Sequence, residues 1–328
     1  MKRRKPRTVV VTGATAGLGR AVADAFVRRQ WRVALIARGR ERLLEAERTY
    51  RGLGAEVRAH SVDVADAAGL ERAAAEIAAA WGGIDLWINN AMATVFAPFE
   101  QLSSEDYRRV IEVTFLGQVN GTRAALAHMR ARNRGTIVQM SSALGFRSIP
   151  LQSAYCAAKA AVRGFTDALR CELLHEHSRV RLTVVYLPAI NTPQFDWARS
   201  ALPRRVQPVP PVFQPEAVAE RVVRAAMWAP REVWIGRSTL QAALGNTAAP
   251  GWLDRLLARK AWDGQMTAER APAAEPGNLY EPVARHGGSH GRVDHTAEGE
   301  VEAYGPGLLR AGTAGAAGLL VAALGWGA

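Results

Sequence analysis

The tightest constraint on this chain's fold lies in residues 8–19, TVVVTGATAGLG. Five consecutive β-branched residues, Thr8–Thr12, stop at Gly13, as a strand buried in a parallel sheet should. Helical apolar spacing follows in RAVADAFVRR. The loop between them, Gly13-Ala14-Thr15-Ala16-Gly17-Leu18-Gly19, lets the backbone turn tightly and approach a pyrophosphate closely. The helix that starts near Gly17 points its N–H groups and positive dipole end the same way. An ordinary glycine-rich βα turn has the same composition, so the loop alone leaves dinucleotide binding open.

The pattern then repeats. Strands are expected at Trp31–Ala37, Glu56–Ser61, Ile84–Asn89, Thr136–Met140, Val180–Leu187 and Glu232–Ile235. Helices are expected at 66–81, 103–132, 151–176 and 215–228, with a short one near Leu240. Alternating β and α elements imply an α/β, doubly wound parallel sheet covered on both faces, with right-handed crossovers. Ligands in such sheets sit beyond the strand C-terminal ends. The second strand ends without the acid that would meet a ribose 2′-hydroxyl. Arg38 stands there instead, and a guanidinium suits a phosphate oxygen, which favours NADP(H); a surface arginine at a helix start is the plainer alternative. Asp63, followed by Val64, either accepts from an adenine amino group or caps the helix over 66–81.

Ser142, Tyr155 and Lys159 come next in the argument. Tyr155 and Lys159 stand at i and i+4, on one helical face. A phenol titrates near pH ~10 in water, and a cation held close favours its ionised form. Such a tyrosine can exchange a proton near neutral pH, with the Ser142 hydroxyl on the same substrate oxygen.

Taken together, Thr12-Gly13-x-x-x-Gly17-x-Gly19, Asp63-Val64, Asn89-Asn90-Ala91, Ser142, Tyr155-x-x-x-Lys159 and Pro188-Ala189-Ile190-Asn191-Thr192 resemble the short-chain dehydrogenase/reductase family over roughly residues 7–247. The resemblance implies a Rossmann-type sheet of seven strands and reversible hydride transfer between NADP(H) and an alcohol/ketone pair. It makes Tyr155 the general acid or base, Lys159 the residue that lowers its pKa and binds the nicotinamide ribose, and Ser142 the group that polarises the substrate oxygen. It gives the pyrophosphate to the loop of Gly13, Thr15, Gly17, Leu18 and Gly19, the 2′-phosphate to Arg38, the adenine to Asp63 and Val64, the middle of the cofactor to Asn90, and the carboxamide end to Ile190 and Thr192. Three positions depart from the pattern. Thr114 stands where the family has an Asn that holds a relay water behind the lysine, and its shorter hydroxyl either carries a relay or weakens it. Met92 and Ala189 replace glycines near the nicotinamide. A weakly active NADP(H)-binding scaffold or sensor is therefore the alternative to an enzyme. Leu144, Phe146, Ile149, Phe195 and Trp197 read as a lipophilic substrate wall or as packing.

The chain has 328 residues and a formal net charge of +12, of which residues 1–60 supply +10 (15 Lys+Arg against 5 Asp+Glu). The excess reads as a solvated cationic surface, or as attraction to a polyanionic cofactor or an anionic membrane. No Lys/Arg stripe interleaves with aromatics, so nucleic acid is not an expected partner. Cys156 and Cys171 fall in one expected helix, roughly 22 Å apart at ~1.5 Å per residue, too far to bridge. That fits a reducing, cytoplasmic setting, and the basic start MKRRKPR lacks a secretory apolar region. Four regions are expected: 1–247, the cofactor-binding and catalytic domain; 248–270, an amphipathic helical extension; 271–306, a polar Pro/Gly-rich flexible linker; and 307–328, a hydrophobic tail. Residues 311–328 carry no charged side chain and span about 27 Å as a helix, just under a ~30 Å bilayer core. They read either as a membrane anchor on the cytoplasmic face or as a buried or disordered tail. In the polar stretch, His286, His290, Asp294 and His295 read as part of a flexible tract rather than as metal ligands. A homo-oligomer is expected, and a small-molecule alcohol or ketone as the substrate.

Overall fold

The computed structural model describes residues 6–271, 277–283 and 288–305. Its order begins β1 (Thr8–Thr12), α1 (Gly17–Arg28), β2 (Arg32–Ala37), α2 (Arg40–Gly52), β3 (Val57–Ser61), α3 (Ala67–Trp81) and β4 (Leu86–Asn89). It continues with α4 (Ser104–Ile111), α5 (Gly117–Arg130), β5 (Gly135–Ser142), α6 (Ser153–His175) and β6 (Val180–Leu187). α7 (Pro215–Trp228), β7 (Glu232–Ile235), α8 (Arg237–Ala248), α9 (Pro250–Gly264) and β8 (Ala303–Tyr304) complete it. The main sheet runs β8-β7-β6-β5-β4-β1-β2-β3. Its first seven strands in chain order pair in parallel, and β8 adds an antiparallel eighth at the β7 edge. The seven parallel strands are those expected; the eighth comes from the C-terminal stretch.

Two-residue periodicity sorts the strand side chains between two cores. Val9, Val11, Val33 and Leu35 join Val22 and Phe26 of α1 and Val218 and Val222 of α7 on one face. Val10, Ala34 and Ile36 meet Leu70 and Ile77 of α3, Met129 of α5 and Leu173 of α6 on the other. Burying each Val, Leu or Ile contributes about 1.5–3 kcal/mol, so β1, buried on both faces, anchors the sheet. The helix expected over 103–132 is continuous but widens to a π-helical turn at Glu112–Leu116, between α4 and α5. Because β1 and β4 are neighbours from opposite halves of the chain order, the sheet's switch point opens between them, where a crevice forms at the strand ends.

The stretch expected to be a flexible linker is held instead by backbone pairing and burial in its described parts. Gln214 and Gly236 donate backbone N–H bonds to the Glu298 and Glu302 carbonyls, both at 2.9 Å. Val301 and Leu279 are buried. Composition alone could not reveal these partners, which lie in the core domain. Met266–Arg270 pairs antiparallel with Arg204–Val206, so the helical extension is docked too. No helix among the described residues is long and apolar enough to cross a membrane; the apolar tail at 311–328 lies outside them.

Candidate active site

The crevice is a continuous cavity of about 540 Å³ beyond the strand ends. At its centre is the turn after β1. Gly13 and Gly17 adopt φ of +66° and +54°, left-handed values that favour glycine. A Cβ on Gly19 would lie 2.1 Å from the Gly13 carbonyl oxygen, and one on Gly17 would lie 3.1 Å from the Thr192 side chain. Only glycine fits these close approaches, and the turn they shape, at the N-terminus of α1, is the kind of cradle that a pyrophosphate needs. Thr15, Leu18 and Gly19 line it beside Ile190 and Thr192. Asn90 pins the turn from β4, its side-chain amide donating to the Thr12 carbonyl at 3.0 Å. These residues fit a dinucleotide.

Arg38, Asp63 and Val64 line one end of the same cavity. Asp63 does not cap α3: Asp66 does, accepting from the Gly69 N–H at 2.9 Å. Asp63 instead accepts from Arg109 and from the Ala65 N–H, and Arg38 approaches it to 3.9 Å. Burial draws the Arg38 guanidinium below its ordinary pKa, with Asp63 opposing. Arg109 is a member of this cluster that sequence reasoning missed. It comes from α4, nearly fifty positions from Asp63, and no local pattern links the two.

Ser142 at the end of β5 and Tyr155 and Lys159 on α6 meet at the other end. Ser142 and Tyr155 line the cavity together, and the Ser142 Oγ accepts from the Leu144 N–H at 3.2 Å. Lys159 is almost fully buried; its Nζ donates to the Met140 carbonyl at 2.7 Å and sits 5.5 Å from the Tyr155 ring centre. The expected lowering of the phenol pKa is not what the structure shows. Burial raises Tyr155 above its ordinary value, with the Ser142 hydroxyl pulling the other way. Burial also draws Lys159 down to about 7. An amine that is only partly charged at neutrality does not overcome the desolvation of its neighbour.

Thr114 is turned to the loop after β4. Its hydroxyl donates to the Ala93 carbonyl at 2.7 Å and accepts from the Ala93 N–H at 2.9 Å. Its one donor and one of its two acceptor sites are thus engaged in holding the loop after β4. Gln118, one turn on, takes the connecting position. Its amide donates to the Thr114 carbonyl at 3.2 Å and to the Met140 carbonyl at 3.0 Å, the same oxygen that Lys159 binds. The Gln118 Oε1 is buried and has no protein partner. The only sequence signal for it was a polar residue on the buried face of a long helix.

The wall near Ser142 and Tyr155 is mostly apolar, with Leu144, Ile149, Phe195, Val209 and Leu257 in the lining, whereas Trp197 lies under the Arg42 guanidinium, 4.7 Å from its ring centre. Leu257 comes from α9, so the extension forms part of the wall. Phe146 turns away and packs against Tyr186 and Trp234, with ring centres 4.7 and 4.5 Å distant.

The family model for short chain dehydrogenases matches residues 7–202, most of the sheet and all three of Ser142, Tyr155 and Lys159. The chain belongs to the short-chain dehydrogenase family. A relative that supports this membership is an uncharacterized oxidoreductase, YxnA, of Bacillus subtilis, 30% identical over 86% of this chain and 80% of its own. A 3-ketodihydrosphingosine reductase of Bos taurus is 30% identical over 67% of this chain and 68% of its own. Among solved structures, a short-chain dehydrogenase from Streptomyces avermitilis superposes with a TM-score of 0.64 at 28% identity, covering 78% of this chain and 96% of that one. An alcohol dehydrogenase from the archaeon Thermococcus sibiricus, complexed with 5-hydroxy-NADP, gives 0.58 at 26% identity, over 70% and 95%. The family accounts for the oxidoreductase chemistry of CH–OH and C=O groups and for a nicotinamide cofactor.

Proposed function

We propose that this short-chain dehydrogenase is an NADP(H)-dependent oxidoreductase that interconverts a lipophilic alcohol and its ketone. The observation that carries the reading is one cavity lined by the glycine cradle, by Arg38 on one side of it and by Ser142, Tyr155 and Lys159 on the other. The nicotinamide, when bound, supplies or accepts the hydride at the substrate carbon. Ser142 holds the carbonyl oxygen, and Tyr155 gives that oxygen its proton in reduction and takes it back in oxidation. Lys159, when protonated, favours the phenolate left behind. Arg38 supports the preference for NADP(H), since a guanidinium pairs with a 2′-phosphate and no carboxylate occupies its position. The apolar substrate wall supports a lipophilic substrate, in keeping with relatives named as a 3-ketodihydrosphingosine reductase and an alcohol dehydrogenase.

The test is NADPH oxidation with a panel of aliphatic and aromatic ketones. Tyr155→Phe, which keeps the ring and removes the proton, is expected to lower kcat/KM by about 10²–10⁴-fold. Equal turnover by this variant would remove the reading. One observation favours a second, a nucleotide-binding sensor with little turnover: the Thr114 hydroxyl spends its only proton on the Ala93 carbonyl. Tight NADPH binding without turnover of any ketone, restored by Thr114→Asn, would select it.

A further inference from the structure

The phosphate-binding donors of the cleft already have oxygen partners, and these belong to the C-terminal part of the same chain. The Gly17 N–H, at the start of α1, donates to the Gly288 carbonyl at 3.0 Å. Arg38 donates to the carbonyls of Leu279 at 3.1 Å, Tyr280 at 2.7 Å and Asn278, which takes up three of its five N–H donors. Arg109 adds a bond to the Leu279 carbonyl at 3.2 Å. Neutral carbonyl oxygens thus stand where phosphate oxygens would.

Side chains fasten both pieces. Leu279 is fully buried in the core cluster that includes Val64, Val110 and Val113. The Tyr280 hydroxyl donates to Asp106 at 3.0 Å. In the second piece Arg292 pairs with Asp196 at 2.6 Å, and Asn191 donates to Asp294 at 2.6 Å while accepting from the Val293 N–H at 3.2 Å. Asn278 and Pro282 form part of the cavity wall.

We propose that residues 277–283 and 288–294 are an intramolecular strap that competes with the dinucleotide for Gly17 and Arg38, so that cofactor binds only as the strap gives up those donors. This rests on the reading of the cleft as a dinucleotide site. A lid would clasp groups that the cofactor leaves free, whereas this strap takes the groups the cofactor needs. A phosphate can displace it because charge-assisted hydrogen bonds are about twice as strong as neutral ones. The apparent affinity falls by the fraction of molecules with the strap open.

Hydrogen exchange of the full chain, with and without saturating NADPH, tests the proposal. NADPH is expected to slow exchange at residues 13–19 and to speed it at 278–280 and 289–294. Slower or unchanged exchange in the strap, with 13–19 protected, overturns the strap and leaves the cofactor reading standing. No protection of 13–19 removes the cofactor reading, and the strap with it. In parallel, Leu279→Ala and, separately, Arg292→Gln loosen the strap while leaving Gly17 and Arg38 intact. Each is expected to tighten NADPH binding by about ten-fold. Unchanged or weaker binding in folded variants overturns the proposal, and Arg292, partly exposed, keeps the test open if Leu279→Ala misfolds.

Discussion

A buried amine destabilises the fold that holds it, and Lys159 does so at the centre of the site. Its folded pKa of about 7 lies below the unfolded value of ~10.4. The unfolded chain therefore binds the extra proton between those values, and stability rises with pH across that window. The penalty is complete below about pH 7 and fades toward pH 10. Lys159→Met, similar in length and apolar, is expected to raise Tm at pH 6.5 by several degrees and to lose that advantage by pH 10, measured by thermal scans across the range. Turnover would fall at every pH. Arg38 carries the second expectation at this scale. Arg38→Gln should lower the ratio of NADPH to NADH affinity about 10- to 100-fold, since a charge-assisted phosphate contact is worth about 1.5–3 kcal/mol; an unchanged ratio in fluorescence titrations would contradict it. The spacing of Tyr155 and Lys159 made their shared face legible, because i and i+4 coincide on any helix. The engagement of Thr114 by Ala93, and the place of Gln118 beside Met140, were not legible, because each depends on a backbone group from a distant element.

At the scale of elements, the helix leading into the site is shaped by what packs on it. Gly121 of α5 lies against β4, and a Cβ there would come within 2.1 Å of the Asn89 Oδ1. Asn89 in turn accepts from the Trp87 indole at 2.8 Å and donates to Gln139 at 2.9 Å, a polar network fully inside the fold. Gly121→Ala would improve helix propensity in isolation, yet is expected to destabilise the protein by about 1–3 kcal/mol through overpacking, read from urea midpoints. The existence and order of β1–β7 followed from hydrophobic runs, which local sequence carries, although β4 starts two residues later and β5 ends two residues later than expected. The π-helical turn at Glu112–Leu116 did not, since its residues show no break in apolar spacing. The docking of α9 was likewise open, its amphipathic pattern suiting a core, a subunit or a membrane equally; here it supplies Leu257 to the cavity.

For the whole molecule, the C-terminal stretch couples distant parts of the chain to the cleft. His290 links Glu216 of α7 at 3.0 Å to Asp294 at 2.5 Å, and Ser289 also donates to Glu216 at 2.8 Å. The two carboxylates hold the imidazole above its ordinary pKa against the desolvation that opposes them. The contribution of this bridge is therefore complete below about pH 6.5 and is lost as pH rises through the raised folded value. If the strap competes with cofactor, NADPH affinity should increase from pH 6 to pH 8.5 in the wild type, and His290→Ala should flatten the part of that increase owed to the bridge; titrations at several pH values measure both. By itself, the sequence determined the alternation of strands and helices, the glycine turn and the Ser142, Tyr155 and Lys159 set, because each is written in neighbouring residues whose spacing matches a strand, a turn or a helical face. Only the tertiary structure decided that residues 277–283 and 288–305 lie along the domain rather than free of it. Their partners are backbone carbonyls, N–H groups and a guanidinium contributed from far along the chain, and composition does not record such pairings.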